Sequence, residues 1–153
     1  MRNSCKNRFP YLPEGRSILF CSLENPFLQA AKKAAETESL DPNFPTGAVL
    51  VQNETIIGQG ANGSHWHQQH GCERKRLSSK TGEDYELCEG CHPKNHAEQK
   101  AIKNAQKQGH STNGADLYLW GHWWCCHSCW EKMIENKIRH VYLYEHAQTQ
   151  FKR

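Results

Sequence analysis

Two short groups of residues in this chain have the types and spacing to do chemistry. His96-Ala97-Glu98 is followed, about thirty residues on, by Cys126-His127-Ser128-Cys129. One imidazole and two thiolates give a zinc ion three ligands and leave a fourth position for water. Zinc held in this way lowers the pKa of that water towards ~7, so hydroxide is available at neutral pH. Glu98 lies two residues from His96 and can reach the water without binding the metal. A carboxylate there takes up the proton and returns it to a ring nitrogen and a leaving amine. Both groups fall at the expected N-terminus of a helix, where free N–H groups and partial positive charge favour thiolate over thiol. The plainer alternative is a closed Cys/His zinc site with Glu98 on the surface. His-x-Glu at one helix start with C-x-x-C at the next weighs against it.

A second group lies upstream. Cys72, Cys88, Cys91 and His92 have the donors for a Cys₃His zinc site, with His65, His67 or His70 as alternative nitrogen ligands. A site without an open position would fold its loop outright. The alternative is a loop of reduced, unliganded thiols. Cys88 to His92 also spells C-x-x-C-H, the pattern of c-type haem attachment, which requires export. Arg74, Lys75 and Arg76 are candidate phosphate contacts, against the commoner reading of a solvated face. Trp120, Trp123, Trp124 and Trp130 read most simply as core and rim around the second of the two helices, although a Trp at a site mouth can stack on a base.

These residues need a scaffold, and the patterning supplies one. Ser17 to Leu23 reads as a short strand. Asn25-Pro26 opens a helix, with Asn25 as N-cap and Pro26 at the first helical position. Phe27, Ala30, Ala31, Ala34 and Ala35 share one face of it, and Pro42 and Pro45 end the region. Thr46 to Val51 reads as a buried strand, Asn53-Glu54 as a turn, and Thr55 to Gly60 as the antiparallel partner. Residues 61–95 show no period and carry most of the loop Cys and His residues. A loop of that length is uncommon in a compact domain and is usually functional.

A helix is expected over 97–108, with Gly109 as its stop. A strand follows at Asp116 to Trp120, then a helix over 128–137 and a strand from Arg139 to Tyr144. The last nine residues are polar and are expected to fray. The order predicts one mixed α/β sheet covered by helices, with a parallel, right-handed final strand–helix–strand unit. The whole chain, 1–153, reads as one domain with an irregular N-terminal extension over 1–25.

Composition narrows the function. A chain of 153 residues buries roughly 70% of its unfolded surface, enough for one sizeable core. Mean hydropathy is −0.87, and no apolar run approaches the ~20 residues needed to cross a bilayer. The net charge of +3 is too mild for a dedicated nucleic-acid binder. Eight Cys in 153 residues is about 5%, below the ~8–10% of a disulfide scaffold. The apolar stretch from Ile18 to Leu23 is too short for a secretory signal. A cytoplasmic chain with clustered Cys and His is expected to bind metal rather than to form disulfides.

His-x-Glu with a later C-x-x-C resembles the zinc-dependent cytidine and deoxycytidylate deaminase superfamily. The resemblance runs from about Thr46 to Tyr144. Gly58-Gln59-Gly60-Ala61-Asn62 is similar to the family's G-x-G-x-N turn, and 96–102 (HAEQKAI) to its zinc-and-glutamate helix. The resemblance implies a three-layer α-β-α fold with a mixed central sheet. It implies His96, Cys126 and Cys129 as zinc ligands and Glu98 as the catalytic proton shuttle. The backbone N–H of Ala97 would hold the pyrimidine carbonyl, and Asn62 a sugar hydroxyl. The implied reaction is hydrolysis at C4 of cytosine, giving uracil and ammonia.

Cys72 to Arg74 and Ser78 to Cys88 look like the insert of deoxycytidylate deaminases, which points to dCMP as substrate. Some of those enzymes carry an extra structural zinc near this loop. Free cytidine, or a base in tRNA, is the rival substrate. A zinc-stabilised interaction module without catalysis is the rival class. The family usually forms homo-oligomers. One position departs from the pattern, because the family's Pro before the first Cys is Cys125 here.

Overall fold

The computed structural model describes residues 11–79, 85–88 and 91–151, with the backbone alone at 67 and 86. Five strands form one mixed sheet: β1 (Ile18–Cys21), β2 (Gly47–Gln52), β3 (Thr55–Ala61), β4 (Asp116–Trp120) and β5 (Val141–Tyr144). Their spatial order is β1-β5-β4-β2-β3. β5 runs parallel to both β4 and β1, while β2 runs antiparallel to β3 and β4. The stretch expected as a short strand near the N-terminus thus forms the sheet edge beyond β5.

Side chains alternate across a strand, so each strand feeds both faces of the sheet. Ala48, Leu50, Leu117, Leu119, Val141 and Leu143 pack in one cluster with α4 (Ala97–Lys107) and α5 (His127–Glu135). Val49, Val51, Tyr118 and Trp120 pack in a second cluster with Leu28, Ala31 and Ala35 of α1 (Pro26–Glu38). The result is three layers, with α4 and α5 side by side on one face. Asn25 caps α1 as expected, its side-chain oxygen accepting from the N–H groups of Phe27 and Leu28 at 2.9 and 3.1 Å. Asn53 and Glu54 take φ of 51° and 60°, the left-handed pair that a two-residue hairpin turn requires.

α4 sits close on β3 because two glycines lie beneath it. A Cβ at Gly60 would stand 2.6 Å from the Ala101 nitrogen and from Lys100 Cβ, and one at Gly58 would meet Ala101 O at 2.6 Å. Thr55 to Gly60, expected as the antiparallel partner of the preceding strand, is β3 with Ala61 added, so the stretch similar to the family's G-x-G-x-N turn lies largely within a strand. Its glycines serve close helix packing. Gly109 ends α4 with φ +84°, and the His110 N–H reaches Ala105 O at 3.0 Å.

Two further expectations are corrected. The stretch 61–95 is not structureless: it contains α2 (His65–His70), α3 (Glu73–Arg76) and 3₁₀ turns at Tyr85–Leu87 and Pro93–Asn95. The polar C-terminus forms a last helix, α6 (Ala147–Phe151), instead of fraying. Ala147 is buried, and Phe151 meets the Trp120 ring edge-on at 4.9 Å. These are the two apolar residues at i, i+4 in an otherwise polar segment, which suffices to dock one turn of helix. No helix among the described residues is long and apolar enough to cross a membrane.

Candidate metal centre and active site

His96 is the N-cap residue of α4 and Cys126 that of α5; neither side chain caps its own helix. Both side chains are thereby left to point at one another. His96 Nδ1 lies 3.4 Å from Cys126 Sγ and 3.4 Å from Cys129 Sγ. Tetrahedral zinc, with Zn–N of ~2.05 Å and Zn–S of ~2.3 Å, sets N and S about 3.6 Å apart. The donor set and its spacing therefore fit zinc with only a slight opening. Cys129 is fully buried and His96 half-buried.

The two thiols of the cluster hold their protons unequally. A hydrogen bond from Cys129 and the neighbouring imidazole hold the Cys126 pKa well below the ordinary thiol value. Burial raises that of Cys129 well above it. Burial disfavours a charged His96, yet Cys126, Glu98 and the Cys91 carbonyl together bring its pKa up to about 9.

Glu98, in the first turn of α4, is only 4% exposed. Burial raises its carboxyl pKa; His96 and a hydrogen bond from the Cys125 thiol pull the other way. Cys125 is itself fully buried, and burial, with Glu98 and Cys126 nearby, keeps it a neutral thiol. The extra cysteine thus sits on the carboxyl. The three-residue donor cluster consists of His96, Cys126 and Cys129, all within 4.8 Å of one another. Ala97 is the first residue of α4 and buried, where a helix leaves its N–H groups unused by its own ladder.

Two supporting residues escaped sequence reasoning. Gln99 Nε2 donates to Ser128 Oγ at 3.1 Å and to Cys129 Sγ at 3.7 Å, tying the two helices at the site. Lys100 Nζ donates to Gly63 O at 2.6 Å, and burial lowers its pKa. The signal available for Gln99 was its place next to Glu98, three residues after His96.

Asn62 has a structural job. Its Oδ1 accepts from Ser39 Oγ at 2.6 Å and from the Thr46 N–H at 2.9 Å, and its Nδ2 donates to Phe44 O at 2.9 Å. One amide hydrogen remains for any further partner. Of the tryptophans, Trp124 and Trp130 lie in the cluster beneath α4 and α5, Trp120 lies under α1, and Trp123 is half-buried.

The loop thiols also converge. Cys72 Sγ is 3.5 Å from Cys91 Sγ and 3.8 Å from Cys88 Sγ. Two thiolates on tetrahedral zinc stand about 3.8 Å apart, so this donor set fits too. Backbone N–H groups of Cys91 and Glu73 outweigh burial and lower the Cys88 pKa; burial raises that of Cys91. The donor cluster here is Cys72, Cys88 and Cys91. His92 is not part of it: its Nδ1 accepts the Lys94 N–H at 3.2 Å, capping the turn at Pro93–Asn95. His65 and His70 are exposed on α2, the His70 ring against that of Trp66, and the His67 side chain lies outside the described residues. Of the basic triplet, Arg76 pairs with Glu73, Lys75 is exposed, and Arg74 lies 4.4 Å over the Tyr85 ring. The Tyr85 ring in turn meets His96 edge-on at 4.9 Å.

Comparison with known proteins agrees with this geometry. ComE operon protein 2 of Bacillus subtilis (strain 168) is 28% identical over 125 residues, covering 82% of this chain and 61% of its own length. The chain thus spans about three fifths of that curated relative. The crystal structure of dCMP deaminase from the cyanophage S-TIM5 in complex with dCMP and dUMP superposes with a TM-score of 0.54 at 20% identity, covering 82% of this chain and 85% of that one. Its apo form gives 0.51 at 20% identity, over 76% and 78% of the two chains. At that identity the two structures share a fold. The family described as the cytidine and deoxycytidylate deaminase zinc-binding region matches residues 22–145, from just after β1 through both helix N-termini to the end of β5. With that match spanning both His96-Ala97-Glu98 and Cys126 to Cys129, this chain belongs to the cytidine and deoxycytidylate deaminase family.

Proposed function

We propose that this chain is a zinc-dependent hydrolytic deaminase of a cytosine nucleotide, converting dCMP to dUMP and ammonia. The observation that carries the reading is a buried carboxylate, Glu98, two residues from His96 in a His/Cys/Cys donor cluster. A purely structural zinc site has no use for that carboxylate. Zinc held by His96, Cys126 and Cys129 would supply hydroxide at neutral pH. Glu98, its pKa raised by burial, takes the proton of the attacking water. It delivers that proton to the ring nitrogen N3, then passes the remaining proton of the new C4 hydroxyl to the amine. The water oxygen forms the new bond to C4, the C4–N bond breaks, and ammonia leaves. The Ala97 N–H holds the pyrimidine carbonyl, and the remaining Asn62 amide hydrogen reaches a sugar hydroxyl.

Support for a mononucleotide comes from the loop, which brings Arg74 and Tyr85 up to His96. Arg74 and Lys75 are the phosphate contacts in this reading. A second zinc belongs at Cys72, Cys88 and Cys91. The working form is a cytoplasmic homo-oligomer acting on a small-molecule nucleotide.

Ammonia release by zinc-loaded protein from dCMP, with deoxycytidine and CMP alongside, tests the proposal. Preference for dCMP is expected. Glu98→Ala should keep fold and zinc while losing about 10²–10⁴-fold in turnover. An active Glu98→Ala variant would defeat the mechanism. Activity on none of the three substrates would shift the reading to a nucleic-acid substrate or a non-catalytic module.

A further inference from the structure

The partners that fix His96 come from the thiol loop. His96 Nε2 lies 2.8 Å from the Cys91 carbonyl oxygen, which can only accept, so Nε2 carries the proton. That tautomer leaves Nδ1 to face Cys126 and Cys129. The Tyr85 ring, just ahead of Cys88, packs edge-on against the His96 ring. Arg74, two residues after Cys72, stacks on Tyr85 and donates a hydrogen bond to the Cys91 sulfur. Each of the three thiol-bearing segments therefore bears on His96, directly or through one neighbour.

Few large apolar side chains of those segments are buried among the described residues. Between 61 and 95 the buried residues include Cys88, Cys91 and Pro93, whereas Trp66, Leu77 and Leu87 stand more than half exposed. Thiol spacings of 3.5 and 3.8 Å match those around a tetrahedral ion, and an ion there would order all three segments at once.

We infer that the loop thiols form an ion site whose filling positions His96 through the Cys91 carbonyl, so that the loop ion tightens metal binding at His96, Cys126 and Cys129. Cys91 has two roles: its sulfur binds the loop ion and its carbonyl orients the ligand of the other site. Outer partners of a metal-bound His typically change affinity by ~10–100-fold when lost. By linkage the effect is reciprocal. The inference rests on the zinc reading of both clusters and is independent of the reaction.

Metal binding by the full chain tests it, with zinc as the only probe. Wild type is expected to bind two zinc ions. Cys72→Ser removes one loop thiol and leaves the Cys91 carbonyl and every ligand of the other site in place. It is expected to bind one zinc, held about 10–100-fold more weakly in chelator competition. One zinc held with wild-type affinity would overturn the inference. So would a wild type with one zinc per chain that disappears on removal of Cys126 and Cys129.

A second measurement needs no variant. Titration of wild type with ¹¹³Cd²⁺ should give separate resonances for the all-sulfur and the mixed sulfur–nitrogen sites, the latter shifting as the former fills. A mixed-site resonance indifferent to the loop would also overturn it. Protein with two coupled ions and no turnover of dCMP would sink the proposed function alone. Turnover with one ion would sink this inference alone.

Discussion

Gly60→Ala probes how the sheet sets the position of the site. A Cβ at residue 60 would lie 2.6 Å from the Ala101 nitrogen and from Lys100 Cβ, and 2.8 Å from the Lys100 carbonyl carbon. Ordinary contact begins near 3.4 Å, so α4 must withdraw by about 0.8 Å. None of these neighbours can swing aside, which puts the overpacking penalty in the upper part of its usual range, about 2–3 kcal/mol. The lower entropy of the unfolded chain gives back about 0.4–1 kcal/mol. A net loss of about 1–2.5 kcal/mol remains, or a fall in Tm of roughly 2–10 °C at ~2–4 °C per kcal/mol. His96 and Glu98 ride on the start of α4, and a displacement near 1 Å costs about 10² in rate. Calorimetry of the zinc-loaded protein and ammonia release measure the two effects. Gln59→Ala, on the exposed face of β3, is the control and should change Tm little. A Gly60→Ala variant as stable as wild type would refute the close-packing argument.

Three further outcomes are expected. Asn62→Ala strips the Thr46 N–H, on a residue only 5% exposed, of its acceptor; the loss should be about 1–3 kcal/mol by denaturant titration, and no loss would show the network to be idle. Cys129→Ala should abolish zinc at the His96 site by elemental analysis, whereas unchanged metal content would bring Cys125 or the loop thiols into the ligand set. Zinc entry at that site should release about two protons at pH 7 in weakly buffered solution. The sign follows from the protons that zinc must displace: His96, with its pKa raised to about 9, and Cys129, also raised, both carry protons at pH 7. Uptake, or no release, would contradict it.

The elements that position the site were legible because their signals are local. Asn25-Pro26 announces a capped helix, Asn53-Glu54 a tight hairpin, and the strand alternation at Ala48 to Val51 a two-faced sheet. The convergence of His96, Cys126 and Cys129 was legible because helix starts and thiol spacing are sequence properties. What escaped was long-range. The thiols of Cys72, Cys88 and Cys91 meet across sixteen and nineteen residues, and no helical or strand period records that. The strand at Thr55 to Gly60 was legible, but the reason for its glycines was not, since only the approach of α4, some forty residues away, explains them. The last helix rests on Phe151 meeting Trp120 across the fold. Asn62 carries a family motif, yet three of its hydrogen bonds go to the segment 39–46, whose nearness no spacing predicts.

Cys125 brings these threads together. In the family pattern this place belongs to Pro, which has no side-chain donor. Here it holds a thiol with no exposure at all, and burial keeps that thiol neutral. A neutral thiol can donate, and the acceptor beside it is the Glu98 carboxyl. The neighbouring Cys126 faces His96 instead: it is the N-cap residue of α5 and its side chain makes no cap bond, while Cys125 still lies in the preceding connection. One residue of offset along the chain therefore separates two jobs: Cys126 serves the donor cluster, and Cys125 steadies the carboxyl two residues from His96. The departure from the family pattern falls beside the Glu98 carboxyl and leaves the spacing of the donor cluster as the fold sets it.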